Sequence, residues 1–414
     1  MLTVPYPHIS NIQDDWKGRI KFDGASRPLS GYVIRKKGFH EQIAVPYPPP
    51  HITALPIAYR LDSPLLPKDA RIGNISERLT PTPRAYRITS APSWVFPHIL
   101  MQTIDRSVLI KVLTIDPASN SPLVCRRGMV RSYLNSDGDE LWYVYRGNGA
   151  CMTELGVLRY EAGDYLYIPK GFMYEFFADI ASKTHIDTNN TILVGIESSE
   201  PLCRPSWSMS EIPYSVNDMK TSSYEECEKF QICHHECLNP YIVAVKRLHA
   251  WSFLAYSHSP LTSLGYSGST YPFIINEEHI NVPVVDTVHT DPTFFTAFVA
   301  TDESAAVSVF RPRRVHSLPY HHDNTYDECL FLASDYAARG KSVSMGDMTF
   351  HPQGFCHGPQ PNALASAIVR SDPKDNAWDW QSAVMFESRK PLIPSRESIA
   401  IELQDYWESW IHGS

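Results

Sequence analysis

The chain has 414 residues, 43% of them hydrophobic and 20% charged, with a formal net charge of -8. That length suggests two hydrophobic cores, and the composition argues against long disorder and offers no basic block for nucleic acid. No stretch approaches the apolar length needed to cross a bilayer, and the opening MLTVPYPHISNIQDDWKGRIKF has no charged segment followed by an apolar run, so a cytoplasmic address is expected.

Tyrosine, phenylalanine and 33 prolines favour strands joined by rigid turns over long helices, which predicts a mainly β protein. Residues 1 to about 90 carry scattered turn signals such as PYPPP at 46–50, with strands expected only at Ser30 to Arg35 and Arg84 to Ile88. They read as an irregular wrap around a first barrel. From Val108 onward SVLIKVLTI, LWYVYRG, GVLRYEAG and DYLYIPKG are short β-rich runs separated by Gly, Asn and Asp turns. The stretch between about 206 and 245 is polar and irregular, and strand-length runs resume with YIVAVKRLHAWSFLAYSH, VVDTVHTDPTFFTAFVAT and SAAVSVFRPRR. The C-terminal SRESIAIELQDYWESWIHG begins with a serine cap and spaces Ile399, Leu403, Tyr406, Trp407 and Trp410 as a helix would, so one closing helix is expected.

One spacing occurs twice. Gly346, five residues, Pro352, one residue, Gly354, two residues, His357 is matched by Gly163, Pro169, Gly171 and Tyr174, with tyrosine where the histidine stands. The frame resembles the second motif of the cupin barrel. His322 and Glu328 resemble the first motif, with Asn324 in place of its second histidine. In the first half Glu140 takes the corresponding place without histidines before it, so only the second copy keeps metal ligands. The expected architecture is a bicupin of two double-stranded β-helix barrels with few helices: a first domain over 1–205, an irregular connection over 206–245 and a catalytic domain over 246–414.

Two histidines and a carboxylate suit non-haem Fe(II) with open positions better than a closed zinc site. His321 adjoins His322 and would point to the opposite face of a strand. His351 points either into the site or outward from the barrel. Locally, His289 reads as a turn histidine before Asp291-Pro292. The cluster Cys227, Cys233, His234, His235 and Cys237 lacks the paired spacing of common zinc sites, and the eight cysteines are expected to be reduced thiols.

These residues are similar to the homogentisate 1,2-dioxygenase family. The resemblance lies in YLNSDGDELWYVYRGNGACMTELGVLRYEAGDYLYIPKGFMYEF, VVDTVHTDPTFFTAF, PYHHDNTYDE, FHPQGFCHGP and MFES. It implies His322, Glu328 and His357 as Fe(II) ligands, and the family's six-residue spacing to the glutamate selects His322 over His321. It makes His289 the acid/base at a substrate hydroxyl, reversing the local reading, and Asn324, His351 and His357 substrate-facing. Tyr336 corresponds, one position early, to the family tyrosine that holds the substrate carboxylate. The implied reaction joins O2 to homogentisate and opens its ring to maleylacetoacetate, in tyrosine and phenylalanine breakdown. The implied assembly is a homo-oligomer, a hexamer or trimer, with a small aromatic acid and O2 as its partners. Another hydroquinone acid such as gentisate, a metal-binding bicupin without oxygen chemistry, and a zinc or manganese cupin isomerase stay open as alternatives.

Overall fold

A computed structural model describes residues 30–37, 40–47, 82–91, 97–116, 130–178, 190–205, 214–222, 241–256, 260–261, 269–280, 295–314, 325–335, 342–355, 357–358, 360, 378–379 and 381–408. The first elements are an antiparallel hairpin of β1 (Ser30–Lys37) and β2 (His40–Tyr47), then β3 (Arg84–Arg87) and β4 (His98–Thr103), so both strands expected in the N-terminal region form.

The next eight strands are β5 (Val108–Ile115), β6 (Val130–Asn135), β7 (Asp139–Arg146), β8 (Gly149–Thr153), β9 (Gly156–Tyr160), β10 (Asp164–Ile168), β11 (Met173–Ala178) and β12 (Thr191–Ser198). They divide into one run ordered β5-β12-β7-β10 and another ordered β6-β11-β8-β9. Counted within the eight, that is first-eighth-third-sixth opposite second-seventh-fourth-fifth, the order of a jelly roll. Between the two runs lies a core including Trp142, Leu166, Phe176 and Leu193, all buried.

After short strands β13 (Leu202–Cys203) and β14 (Lys220–Thr221), the chain forms β15 (Tyr241–Arg247), β16 (Ala250–Tyr256), β17 (Phe273–Asn276) and β18 (Phe295–Ala300). The order then recurs. In β19 (Ala305–Phe310), β20 (Arg313–Arg314), β21 (Asp327–Leu332), β22 (Asp347–His351), β23 (Trp378–Asp379) and β24 (Ala383–Ser388), one sheet runs β19-β24-β21-β22 and the other pairs β20 with β23. These six take the places of β5-β12-β7-β10 and of the β6 and β11 pair in the first barrel. The fold is therefore mainly β with two cupin-type barrels, as the repeated spacing predicts.

The glycines of that spacing have a conformational reason. Gly163 and Gly346 sit at φ +91 and +86, a region that side chains with a Cβ rarely adopt. Their amides donate to Val144 O and Leu332 O at 2.8 Å each, closing the same turn in both barrels.

The barrels exchange edge strands. β3, from before the first barrel, pairs with β22 of the second, and β25 (Leu392–Pro394) pairs with β4, which pairs with β5. β15 and β17 join the first barrel's two sheets, beside β6 and β10. The largest apolar cluster lies between the facing sheets, where Ile110, Val194 and Ile196 of one barrel join Val307, Phe331 and Phe386 of the other. Burying a large aliphatic or aromatic side chain contributes roughly 1.5–3 kcal/mol, so this joint core makes the barrels mutually dependent.

The closing helix does not form over 395–408. Ser395 Oγ accepts from Ser398 N at 3.1 Å one residue before the N-cap, Arg396, and the chain beyond makes only two 3-10 turns, Glu397–Ile401 and Tyr406–Glu408. Tyr86 bridges Glu402, and Leu403 N donates to Ala85 O at 2.8 Å. Backbone groups committed to the sheet edge cannot close the helical ladder. Among the described residues no helix is long and apolar enough to cross a membrane.

Candidate metal centre

Every residue of β21 is buried, so its alternation separates two functions. Asp327 faces away from Glu328 and anchors the connections: it accepts from Gln353 N at 2.8 Å and Leu392 N at 2.6 Å. Burial pushes its carboxyl up to about 6, and the two backbone hydrogen bonds only partly oppose that. Glu328 lies directly across from His351 on β22 and from Glu387 on β24, which puts the three side chains on one face of the sheet.

The turn at Pro352 to Phe355 then brings His357 back over that face. Gly354 takes φ +74 and Phe355 N donates to Pro352 O at 3.2 Å. The His357 Nε2 stands 3.0 Å from Glu328 Oε2, and its Nδ1 is 3.1 Å from Phe355 O. The His351 ring stacks on His357 with centroids 4.3 Å apart and planes at 11°, and the Tyr406 hydroxyl lies 3.4 Å from His351 Nε2. Of the two orientations open to His351, the inward one is found.

Ligand atoms of Glu328, His351 and His357 all lie within 4.8 Å of one another, and each residue is at most 2% exposed. The donor set fits a divalent cation. An Nδ1 proton donated to Phe355 O leaves the Nε2 lone pair of His357 facing a carboxylate oxygen, an arrangement that a cation between them would turn from repulsive to favourable. Two imidazoles and one carboxylate are the donor types that Fe(II) sites with open positions use.

His289, His322, Asn324 and Tyr336 lie outside the described residues, as do His321 and the Cys227 to Cys237 cluster. Sequence reasoning missed Glu387 and Tyr406 as neighbours of the site. MFES marked Glu387 only as part of a short segment, and the helical spacing gave Tyr406 a different surrounding.

A duplicated cupin barrel with a buried His and Glu cluster in its second copy defines a metal-site class of bicupin. Residues 278–413 match the family described as homogentisate 1,2-dioxygenase C-terminal. A protein of Saccharolobus solfataricus whose name describes it as a dioxygenase is 24% identical over 287 residues, 67% of this chain and 70% of its own. Homogentisate 1,2-dioxygenases of Rhizobium etli and Pseudomonas putida are 25% and 26% identical over 307 and 313 residues, covering 69% and 71% of this chain. The alignments cover 64% and 68% of those two relatives. In its C-terminal third and across these relatives the chain is similar to homogentisate 1,2-dioxygenases, the resemblance its motifs carry.

Among solved structures, a cupin 2 conserved barrel protein of Leptotrichia buccalis aligns at TM-score 0.32 and 10% identity, covering 75% of this chain and 96% of that one. A Streptomyces albus protein with 2-hydroxyethylphosphonate and Fe(II) bound aligns at 0.38 and 7%, covering 77% and 78%. The barrel assignment rests on strand order alone.

Proposed function

We propose that the chain is an Fe(II)-dependent dioxygenase that opens the aromatic ring of homogentisate to maleylacetoacetate, with His322, Glu328 and His357 holding the iron. The observation that carries this reading is the buried Glu328, His351 and His357 cluster, which lies in the region that the family matches. When bound, Fe(II) would supply a Lewis-acidic, redox-active centre with open positions for O2 and a ring hydroxyl.

The chain's own groups do the rest. Glu328 contributes the negative charge that retains the cation in a buried site, where an unpaired charge is costly. His289 takes the proton from the ring hydroxyl, a task suited to an imidazole with an unperturbed pKa near neutrality. Tyr336 and Asn324 contact the substrate, Tyr336 through its carboxylate. His351, held against His357 by stacking and by Tyr406, presents a second imidazole at the edge of the site. A cytoplasmic homo-oligomer, a hexamer or trimer, completes the proposal.

The test is oxygen uptake after anaerobic loading with Fe(II). Homogentisate is expected to drive uptake with release of maleylacetoacetate, and His289→Ala to suppress it. Uptake with gentisate alone would move the substrate assignment to another hydroquinone acid. A protein that binds iron and consumes no oxygen with either compound would be a metal-binding bicupin instead.

A further inference from the structure

The two barrels can be compared residue by residue through their strand registers. In the first, Glu140 on β7 pairs with Glu197 on β12; in the second, Glu328 on β21 pairs with Glu387 on β24. The preceding residues correspond as well. Asp139 accepts from Lys170 N at 2.8 Å and Leu202 N at 2.9 Å, as Asp327 does from Gln353 N and Leu392 N. Tyr174, in the place of His357, donates to Glu140 Oε2 at 2.7 Å, as His357 Nε2 approaches Glu328 Oε2. The two frames place corresponding residues at corresponding contacts.

One position on the first strand of each barrel departs from that match. Val108 pairs with Ser198 and Leu109 with Glu197, while Ala305 pairs with Ser388 and Ala306 with Glu387, so Lys111 corresponds to Ser308. Both bond the glutamate of the eighth strand: Lys111 Nζ donates to Glu197 Oε2 at 2.8 Å, and Ser308 Oγ donates to Glu387 Oε2 at 3.0 Å. The lysine reaches further and also donates to Glu140, the counterpart of Glu328. The serine is three heavy atoms shorter, so it ends at Glu387.

We infer that this position decides which barrel holds a metal: the Lys111 ammonium is the first barrel's built-in cation, set between Glu140 and Glu197, and Ser308 leaves the matching space in the second barrel free for a divalent ion. The second half rests on the reading of Glu328 and His357 as metal ligands. Lys111 is buried, and its ammonium lies 4.8 Å above the Trp142 ring, so its charge is satisfied by two carboxylates and an aromatic face. Lys246 donates to Glu197 from the other side, which completes a network of two lysines and two glutamates. A cleft lined by Arg106, Trp251 and His249 among others has this network in its wall.

Reciprocal substitution tests the inference. Metal-stripped wild type, Ser308→Lys and Ser308→Ala are titrated with Mn²⁺ by calorimetry, and bound metal is counted by elemental analysis. A lysine at 308 places a positive charge beside Glu328, and Mn²⁺ binding is expected to weaken by on the order of 100-fold or more. Ser308→Ala, which lacks both the hydroxyl and the charge, is expected to bind as the wild type does. Undiminished binding by Ser308→Lys, or equal losses in both variants, would overturn the inference. If the wild type itself binds no Mn²⁺ or Fe(II), the proposed metal centre fails first and the Ser308 half falls with it.

Met385 stands opposite Ser308, where Gly195 stands opposite Lys111. A lysine at 308 therefore meets more crowding, and Lys111→Ser provides a second route. In chelator it is expected to melt below the wild type, and added Mn²⁺ to raise its melting temperature by more than that of the wild type. A folded Lys111→Ser protein that does not respond to Mn²⁺ would overturn the first half.

Discussion

The two barrels share strand order, turn glycines, an anchoring aspartate and a pair of facing glutamates, yet they stabilise those glutamates differently. In the first, Lys111 and Lys246 reach the carboxylates through long side chains and Tyr174 donates the remaining hydrogen bond. In the second, Glu328 faces His357 and lies opposite His351 in the sheet. A cupin frame thus accepts either an internal ammonium or imidazoles around a carboxylate. Only the second arrangement presents imidazole nitrogens to an ion.

The largest expected effect breaks that comparison at its shared glutamate. Glu328→Ala should abolish iron retention and reduce homogentisate-dependent oxygen uptake by on the order of 1,000-fold or more, since both positioning and charge stabilisation are lost. Glu140→Gln, at the matching place, should keep the iron content of folded protein. Its cost falls on stability, because removing one partner of a buried charge network costs about 3–5 kcal/mol. Urea unfolding and metal analysis of the two variants separate these outcomes. Iron loss in Glu140→Gln would show that the barrels are not divided as described.

Acid sharpens the same contrast. Burial alone would raise the Glu197 carboxyl, but Lys111 and Lys246 outweigh it and hold the pKa at about 2, below the ordinary 4.5. An acid whose folded pKa is depressed stabilises the fold above its unfolded value and loses that contribution as pH falls through the folded one. The loss is expected between pH 4.5 and about 2, and for a shift of that size it amounts to about 3 kcal/mol. Stability measured by urea unfolding across this window should fall less steeply in Glu197→Gln than in the wild type. Identical slopes would mean that the lysines do not hold the carboxylate ionised.

How much of this was legible in the sequence depended on distance along the chain. The duplicated spacing at Gly163 and Gly346 was visible because a turn that needs a positive φ must carry glycine at a fixed offset. Glu328, His351 and His357 were visible because 30 consecutive residues contain them. Glu140 was visible only as the counterpart of Glu328; its meeting with Lys111, Glu197 and Lys246 was not, since four strands from two sheets bring the group together. The closing helix failed for the same reason. Its spacing was helical, but the long-range bonds to Ala85 and Tyr86 cannot be read from a local pattern.

Tyr406 carries the smallest predicted effect, and it belongs to the second barrel alone. Its hydroxyl, 2% exposed with the rest of the side chain, lies 3.4 Å from His351 Nε2, and His351 stacks in turn on His357. Tyr406→Phe keeps the ring and its packing with Leu330 and Met385 while removing that contact. A typical hydrogen bond contributes about 0.5–1.5 kcal/mol, which corresponds to a roughly two- to tenfold change if the His351 imidazole is used in turnover. If His351 faces the substrate as proposed, Tyr406→Phe leaves Glu328 and His357 in place, and the change should appear in kcat or KM for homogentisate while iron content stays the same. Loss of iron from a folded Tyr406→Phe protein would instead place His351 among the ligands, and an unchanged kcat and KM would remove His351 from turnover.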